Sequence, residues 1–211
     1  MISLFRNLGF RWKLTLPILV LAALFVVLGL SAIWAVNNVE SRLIRVSQEL
    51  LPQSSTILEA DRDLYQALQA ERALLAGVDF PGLADDQTGN MQQASDRIAK
   101  YGAATVSPEG KALAADFARA FDVWKRTSLE SVRMAAAGNA EQARQTSFNR
   151  GYEEFSKARG LIDQMTELVN AEAAQESIEA EEDANASHAR VAMVLGVGVV
   201  VCVLMIAFFP G

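Results

Sequence analysis

The chain has 211 residues, of which 51% are hydrophobic and 21% are charged, and its formal net charge is -6. So large an apolar fraction is typical of membrane segments joined to a polar domain rather than of one soluble domain. The acidic balance makes nucleic acid an unfavourable partner. The single cysteine, Cys202, excludes an intrachain disulfide and a cysteine-based zinc site.

The first predicted element is the uncharged stretch LTLPILVLAALFVVLGLSAIWAV, residues 14–36. About 20 apolar residues suffice for a helix to cross a hydrocarbon core. The stretch is longer than the apolar core of a secretion signal, and Arg6, Arg11 and Lys13 precede it. We therefore predict an uncleaved transmembrane helix, with residues 1–13 in the cytoplasm.

A second uncharged stretch, VAMVLGVGVVVCVLMIAFF, predicts another transmembrane helix over residues 189–209. The segment between the two, 37–188, contains all 25 acidic residues and 15 of the 19 basic residues, so its net charge is -10. The positive-inside rule places this segment outside the cytoplasm. Residues 210–211 would then begin a cytoplasmic part that the sequence does not include.

The outer segment has no alternating strand pattern, and four stretches with helical periodicity predict an all-α domain. The first helix continues out of the first membrane stretch to about Val78, with a kink rather than a stop at Pro52. A turn is predicted over 77–89, because three glycines and a proline cluster there.

The second and third predicted helices each have one apolar face. The face of the second consists of Met91, Ala94, Ile98 and Tyr101, and this helix ends before residue 102. The face of the third consists of Leu113, Phe117, Ala120, Phe121 and Trp124. Ser107 is suited to cap the third helix with Pro108 at its first position, and Gly138 and Asn139 are suited to end it.

The fourth predicted helix runs from about Ala140 into the second membrane stretch. Its apolar residues Phe148, Phe155, Ile162 and Val169 recur at intervals of seven. Two long helices that enter the membrane and are joined by two shorter ones predict a membrane-anchored, antiparallel, up-down-up-down four-helix bundle with two transmembrane helices.

Glu71 interrupts an apolar ladder in the first helix. Counting in sevens gives Leu43, Leu50, Ile57, Leu64, Glu71 and Val78. A buried charge is costly unless it is paired. Three interpretations are open: an ion pair with Arg144 or Arg150 that fixes the helix register, a contact with a ligand or second subunit, or a solvated side chain. We favour the ion pair.

Catalytic motifs are not found in the sequence. It has no nucleophile motif and no glycine-rich phosphate loop, and His188 has no neighbour able to complete a metal site. We therefore expect neither an enzyme nor a cofactor or metal centre. Two interpretations are open for Arg62, Tyr65 and Arg72. They belong to a solvated face of alternating charge, or they bind a carboxylate between subunits.

Several of these features together resemble a known family. A basic N-terminus, LP followed by ADRDLYQALQAERALL, the AAGNAEQAR turn and a final helix running into a second membrane stretch are similar to the N-terminal half of bacterial methyl-accepting chemotaxis proteins with a four-helix-bundle sensor domain. The resemblance implies a homodimer in the inner membrane, with residues 37–188 in the periplasm. It also implies a small-molecule ligand at the distal dimer interface, for which a carboxylate is a candidate, and a piston-like displacement of the fourth helix. Cytoplasmic signalling partners would be reached only through a C-terminal half.

The resemblance also indicates candidate ligand residues. In the aspartate-type receptors, arginines of the first helix and polar residues of the fourth hold the ligand. The residues at similar heights here are Arg62, Tyr65, Gln69, Arg72, Thr146 and Asn149. The sequence also fits the input module of a sensor histidine kinase or diguanylate cyclase, and a non-sensory, membrane-anchored helical scaffold.

Overall fold

The computed structural model describes residues 10–208, and all regular secondary structure in this part of the chain is helical. The α-helices are α1 (Phe10–Ile44), α2 (Leu51–Leu75), α3 (Leu83–Ala104), α4 (Pro108–Ala136), α5 (Ala140–Thr146) and α6 (Tyr152–Phe208). A first π-helix, Arg45–Leu50, joins α1 to α2, and a second, Ser147–Gly151, joins α5 to α6. The helix therefore continues through Pro52, as predicted.

The chain forms two compact units, one at residues 45–174 and the other made of the two chain ends. The central unit is a four-helix bundle of α2, α3, α4 and the segment from α5 to Ala174, which confirms the predicted all-α bundle. Its core combines the predicted faces of all four helices. Trp124 is fully buried in this core, 5.7 Å from the Phe121 ring and 5.5 Å from the Phe155 ring.

Helix termini follow the local signals in the sequence. The Ser107 hydroxyl accepts a hydrogen bond from the Gly110 amide at 3.3 Å, and Pro108 is the first residue of α4. Gly138, with φ of 88°, follows the end of α4 in the left-handed conformation that glycine adopts without strain. The predicted cap and the predicted end of this helix are both confirmed.

The turn predicted over 77–89 is too long, because α3 begins at Leu83. Gly82, with φ of 87°, completes the turn, and Asp85 and Asp86 lie in the first turn of α3, where carboxylates interact favourably with the helix dipole. The first helix also ends earlier than predicted, at Leu75, which leaves Val78 exposed in the turn.

The unit formed by the chain ends contains α1 and the part of α6 from Gln175 onward, which run antiparallel. Arg42 of α1 contacts three carboxylates of α6, those of Glu176 at 3.1 Å, Glu179 at 2.7 Å and Asp183 at 3.0 Å. Further along the pair, the Arg190 guanidinium lies 4.7 Å from the centre of the Trp34 ring.

Two helical segments, Thr15–Leu75 and Ala140–Leu204, contain stretches long and apolar enough to cross a membrane, judged by length and composition. Few side chains of these stretches are buried within the protein, so their apolar atoms face outward. The predicted boundaries at residues 13, 36 and 188 remain predictions about the membrane. Arg6, Phe209 and residues 210–211 lie outside the described part of the chain.

Candidate ligand-binding site

A buried polar cluster lies at the end of the bundle where α2 and α4 end and α3 and α5 begin, which we call the turn end. The cluster consists of Glu71, Gln87, Ser128 and Ser147, all at most 2% exposed. Ser128 donates a hydrogen bond to one oxygen of the Glu71 carboxylate at 2.6 Å, and Ser147 donates to the other at 2.5 Å. The Gln87 amide donates to the Ser128 hydroxyl at 2.8 Å. One side chain from each of the four bundle helices thus meets in a single hydrogen-bonded group.

The predicted ion pair of Glu71 with Arg144 or Arg150 is wrong. Arg144 pairs with Glu141 and Arg150 with Glu154, and both guanidinium groups are exposed. These acids lie within four residues of the arginines, so the pairs form without removing a guanidinium from water. Short serine hydroxyls satisfy the buried carboxylate instead, since they can donate hydrogen bonds without carrying a charge into the core.

The second π-helix determines which side chains face inward. It turns Ser147 and Gly151 into the bundle and leaves Phe148 52% exposed, although the seven-residue spacing placed Phe148 in the core. The wider turn of a π-helix shifts the inward face relative to an ordinary α-helix. Phe155, Ile162 and Val169, which follow it, are buried as predicted.

On the outside of the turn end, α2, the second π-helix and the start of α6 form a surface of aromatic rings and arginines. We call it the aromatic–arginine patch and define it as Tyr65, Arg72, Phe148, Tyr152 and Arg159. The Arg72 guanidinium lies 5.2 Å from the centre of the Phe148 ring and 5.9 Å from that of Tyr152. Arg159 lies 5.3 Å from the centre of the Tyr65 ring. Rings at such distances stabilise a cation through their negative faces.

The two arginines of this patch differ in their charge partners. Arg159 pairs with Asp61 at 3.3 Å and with Asp163 at 3.1 Å. Burial raises the pKa of the Asp61 carboxyl, and the positive charge of Arg159 opposes that shift. None of the ion pairs formed within residues 10–208 includes Arg72, and its Nε is shielded from solvent without a hydrogen-bond acceptor. Arg72 therefore retains the capacity to bind an anion.

The structure brings some of the predicted ligand residues together and separates others. Tyr65 and Arg72 belong to the patch, while Thr146 and Asn149 lie on either side of Phe148 in the chain, half-buried and exposed respectively. Gln69 lines a shallow groove between α2 and α3, together with Gln66 and Asn90. Arg62 donates to Asp63 at 2.7 Å, so its charge already has a partner. As a ligand site, the six residues remain a prediction.

Sequence reasoning missed three residues of the patch as candidates, namely Phe148, Tyr152 and Arg159. Phe148 was assigned to the core because a π-helix cannot be read from seven-residue spacing. The serines of the buried polar cluster were missed as well, although small hydroxyl residues within the third predicted helix, such as Ser128, were a visible signal. A serine on an apolar helix face must find an acceptor when it is buried.

A family model described as a four helix bundle sensory module for signal transduction matches residues 7–184, which is most of the chain. The chain belongs to this family. The resemblance to the sensor half of a methyl-accepting chemotaxis protein is therefore confirmed. A sensory module of this family is a non-catalytic signalling domain. Neither the curated proteins nor the solved structures yielded a match.

Proposed function

We propose that this sensory module is the input part of a transmembrane chemoreceptor in a bacterial inner membrane. In this proposal, residues 37–188 lie in the periplasm, bind a small molecule with a carboxylate or similar anionic group, and transmit a helix displacement across the membrane. The observation that supports it best is Arg72, a partly buried guanidinium that lies close to two aromatic rings and forms no ion pair within the described residues.

Arg72 has the properties of an anion-binding group in an otherwise acidic domain. The proposed outer segment has a net charge of -10, so most of its arginines have acidic neighbours. A guanidinium without such a neighbour can bind a carboxylate through two parallel hydrogen bonds. The rings of Phe148 and Tyr152 would exclude water from one side of the complex and strengthen the electrostatic attraction.

The remaining predicted residues would complete the site from both subunits of a homodimer. Thr146 and Asn149 can supply a hydroxyl and an amide beside Phe148, and Tyr65 can supply a phenol further along the patch. Arg62 and Gln69 are exposed on α2, where a second subunit can approach. The exposed apolar residues Leu51 and Leu58 on α2 support such an approach.

The course of α6 supports the transmission part of the proposal. This helix begins at Tyr152, within the patch, and continues to Phe208, within the second membrane-length stretch. A ligand that shifts the first turn of α6 would therefore act on a helix that enters the membrane without a break. Shifts of 1–2 Å are a common form of switching motion in helical proteins, on the order of one residue's rise.

The tryptophans of α1 support a transmembrane position. Trp12 and Trp34 are about 33 Å apart along an α-helix, close to the thickness of a hydrocarbon core. Both are exposed, and tryptophan is enriched at the two membrane interfaces. Arg11 precedes the stretch on the side assigned to the cytoplasm.

Ligand binding can be tested on the full chain in lipid nanodiscs with a panel of small mono- and dicarboxylates. A carboxylate that binds only the folded protein raises its melting temperature. We expect Arg72→Ala to abolish that shift. Arg126→Ala is the matched control, because Arg126 is an exposed arginine of α4 that pairs with Asp122. Loss of the shift in both variants, or in neither, would contradict a site at Arg72.

A further inference from the structure

The second π-helix is tied to α2 by two adjacent contacts, one inside the bundle and one outside. Inside, Ser147 donates to Glu71 at 2.5 Å. Outside, the Arg72 guanidinium lies 5.2 Å from the centre of the Phe148 ring. Glu71 and Arg72, which are consecutive in α2, thus contact the first two residues of the π-helix. One contact lies inside the bundle and the other lies outside it.

The segment that they hold has features of low intrinsic stability. π-Helical hydrogen bonding is rare, and it places one more residue in a turn than an α-helix does. Gly151, its last residue, is buried and α-helix-destabilising, because glycine has the largest backbone entropy to lose. Thr127, whose Cγ2 lies 3.7 Å from the position of a Cβ built on Gly151, has a buried hydroxyl without a hydrogen-bond partner. The core next to this segment therefore contains a polar group whose hydrogen-bonding capacity is not satisfied.

We propose that the second π-helix is a conformational switch, and that the hydrogen bond from Ser147 to Glu71 holds it in the π form. Release of this bond lets Ser147–Gly151 adopt α-helical hydrogen bonding. The extra residue then contributes its own rise and its own rotation, which displaces α6 along its axis by about 1.5 Å relative to α2 and turns it by about 100° relative to α5. The role of the switch in signalling rests on the proposed sensor function, since an anion bound to Arg72 would alter the contact between its guanidinium and the Phe148 ring.

The switch can be tested without any ligand, by amide hydrogen exchange on the full chain in lipid nanodiscs. Ser147→Ala removes the hydroxyl from the π-helix. Ser128→Ala is the matched control, because it removes an equally buried hydroxyl from the same Glu71 carboxylate but lies on α4. We expect Ser147→Ala to accelerate exchange at residues 148–152 at least about tenfold relative to α4, and Ser128→Ala to leave that ratio unchanged.

A deletion provides a second variant that keeps the fold. Removing Arg150, an exposed residue, takes out the extra residue, so the segment can be α-helical without moving its neighbours. In this background we expect Ser147→Ala to have no effect on exchange. Equal acceleration by both serine variants, or by Ser147→Ala in the deletion background, would overturn the switch.

Displacement of α6 is measured with spin labels at positions 66 and 170, which are exposed on α2 and α6 and are far apart along the bundle axis, in a Cys202→Ser background. The Ser147→Ala variant is expected to shift the label distance by about 1.5 Å, and an unchanged distance would also overturn the proposal. Because no ligand is used, failure of these measurements leaves ligand binding at Arg72 unaffected. Conversely, if no carboxylate binds, the exchange rates expected for the serine variants stay the same.

Discussion

Arg97 on α3 donates a hydrogen bond from Nε to the carboxylate of Asp63 on α2 at 2.6 Å, and Asp63 is completely buried. The other carboxylate oxygen accepts from Arg62 at 2.7 Å. The hydrogen bond to Asp63 raises the pKa of Arg97. Removing one partner of a buried ion pair lowers the stability of the fold, because the other charge stays in the core without a partner. The contact between Arg97 and Asp63 therefore holds α3 against α2.

We therefore expect Arg97→Ala to lower the free energy of unfolding by about 2 kcal/mol, less than for a fully buried pair, because Arg62 still reaches Asp63 from the surface. The measurement is chemical denaturation of the full chain in detergent, followed by circular dichroism. Arg119→Ala serves as control, since Arg119 is exposed and pairs with Asp116 on its own helix. A loss no larger than that of the control would contradict a structural role for the pair.

Substitutions of Glu71 should follow from its two serine partners. Glu71→Ala leaves a cavity and removes the acceptor of Ser128 and Ser147, so we expect a loss of about 3 kcal/mol in the free energy of unfolding. Glu71→Leu fills the space, and serine hydroxyls can bond to a carbonyl of the preceding turn instead, so its cost should be about 1 kcal/mol.

Thermal and chemical denaturation of both Glu71 variants would test this order. An ion pair with an arginine would have made Glu71→Leu neutral or stabilising. A leucine variant more stable than the wild type would thus argue against the hydrogen bonds described here.

The proposed homodimer should depend on the outer face of α2. Leu51, Leu58 and Tyr65 recur at seven-residue intervals and are 60%, 56% and 40% exposed. We expect Leu58→Asp to weaken the dimer at least about tenfold without lowering the melting temperature of the monomer. Val106→Asp, at an exposed position after α3, is the control. Sedimentation of the full chain in detergent measures the dimer affinity of both variants. Equal weakening by the two substitutions would contradict this interface.

The stability of the bundle should depend on pH through Asp61. Its pKa is raised above the ordinary value of 3.8, mainly by burial, while Arg159 lowers it and Asp163 raises it further. The folded chain then binds this proton more tightly than the unfolded chain, so the stabilisation is present below about pH 4 and is lost as the pH rises through the folded pKa.

Asp61→Asn cannot titrate at this position, so the melting temperature of the variant minus that of the wild type should increase between about pH 4 and pH 7. Thermal denaturation across this range measures the difference. A difference that decreases with pH would mean that Arg159 dominates over burial at Asp61.

The proposed topology predicts the behaviour of reporter fusions. A reporter that is active only outside the cytoplasm should be active when inserted at Gly138, in the exposed turn after α4, and inactive when fused after residue 208. A cytoplasmic reporter should give the opposite result. Cytoplasmic activity at Gly138 would contradict the assignment of residues 37–188 to the periplasm.

Apolar periodicity was sufficient to predict the four helices and most of the core, because core positions such as Ile57, Trp124 and Ile162 repeat at helical spacing. It could not predict the environment of Glu71. That environment depends on a π-helix, whose hydrogen bonding has no simple sequence pattern, and on serines contributed by two other helices. The exposed position of Phe148 has the same physical cause, since one additional residue in a turn changes which side chains face inward.

The alternation of inward and outward residues at the turn end bears on how such a module can diverge. Positions 71 and 147 carry the hydrogen bond inside the bundle, whereas positions 72 and 148 carry the arginine and the ring outside it. Surface substitutions usually change stability little, while substitutions of buried polar partners change it strongly. Under the proposed function, mutations at positions 72 and 148 would therefore change the chemical class of ligand that the module binds, while the unaltered pair at positions 71 and 147 preserves the fold.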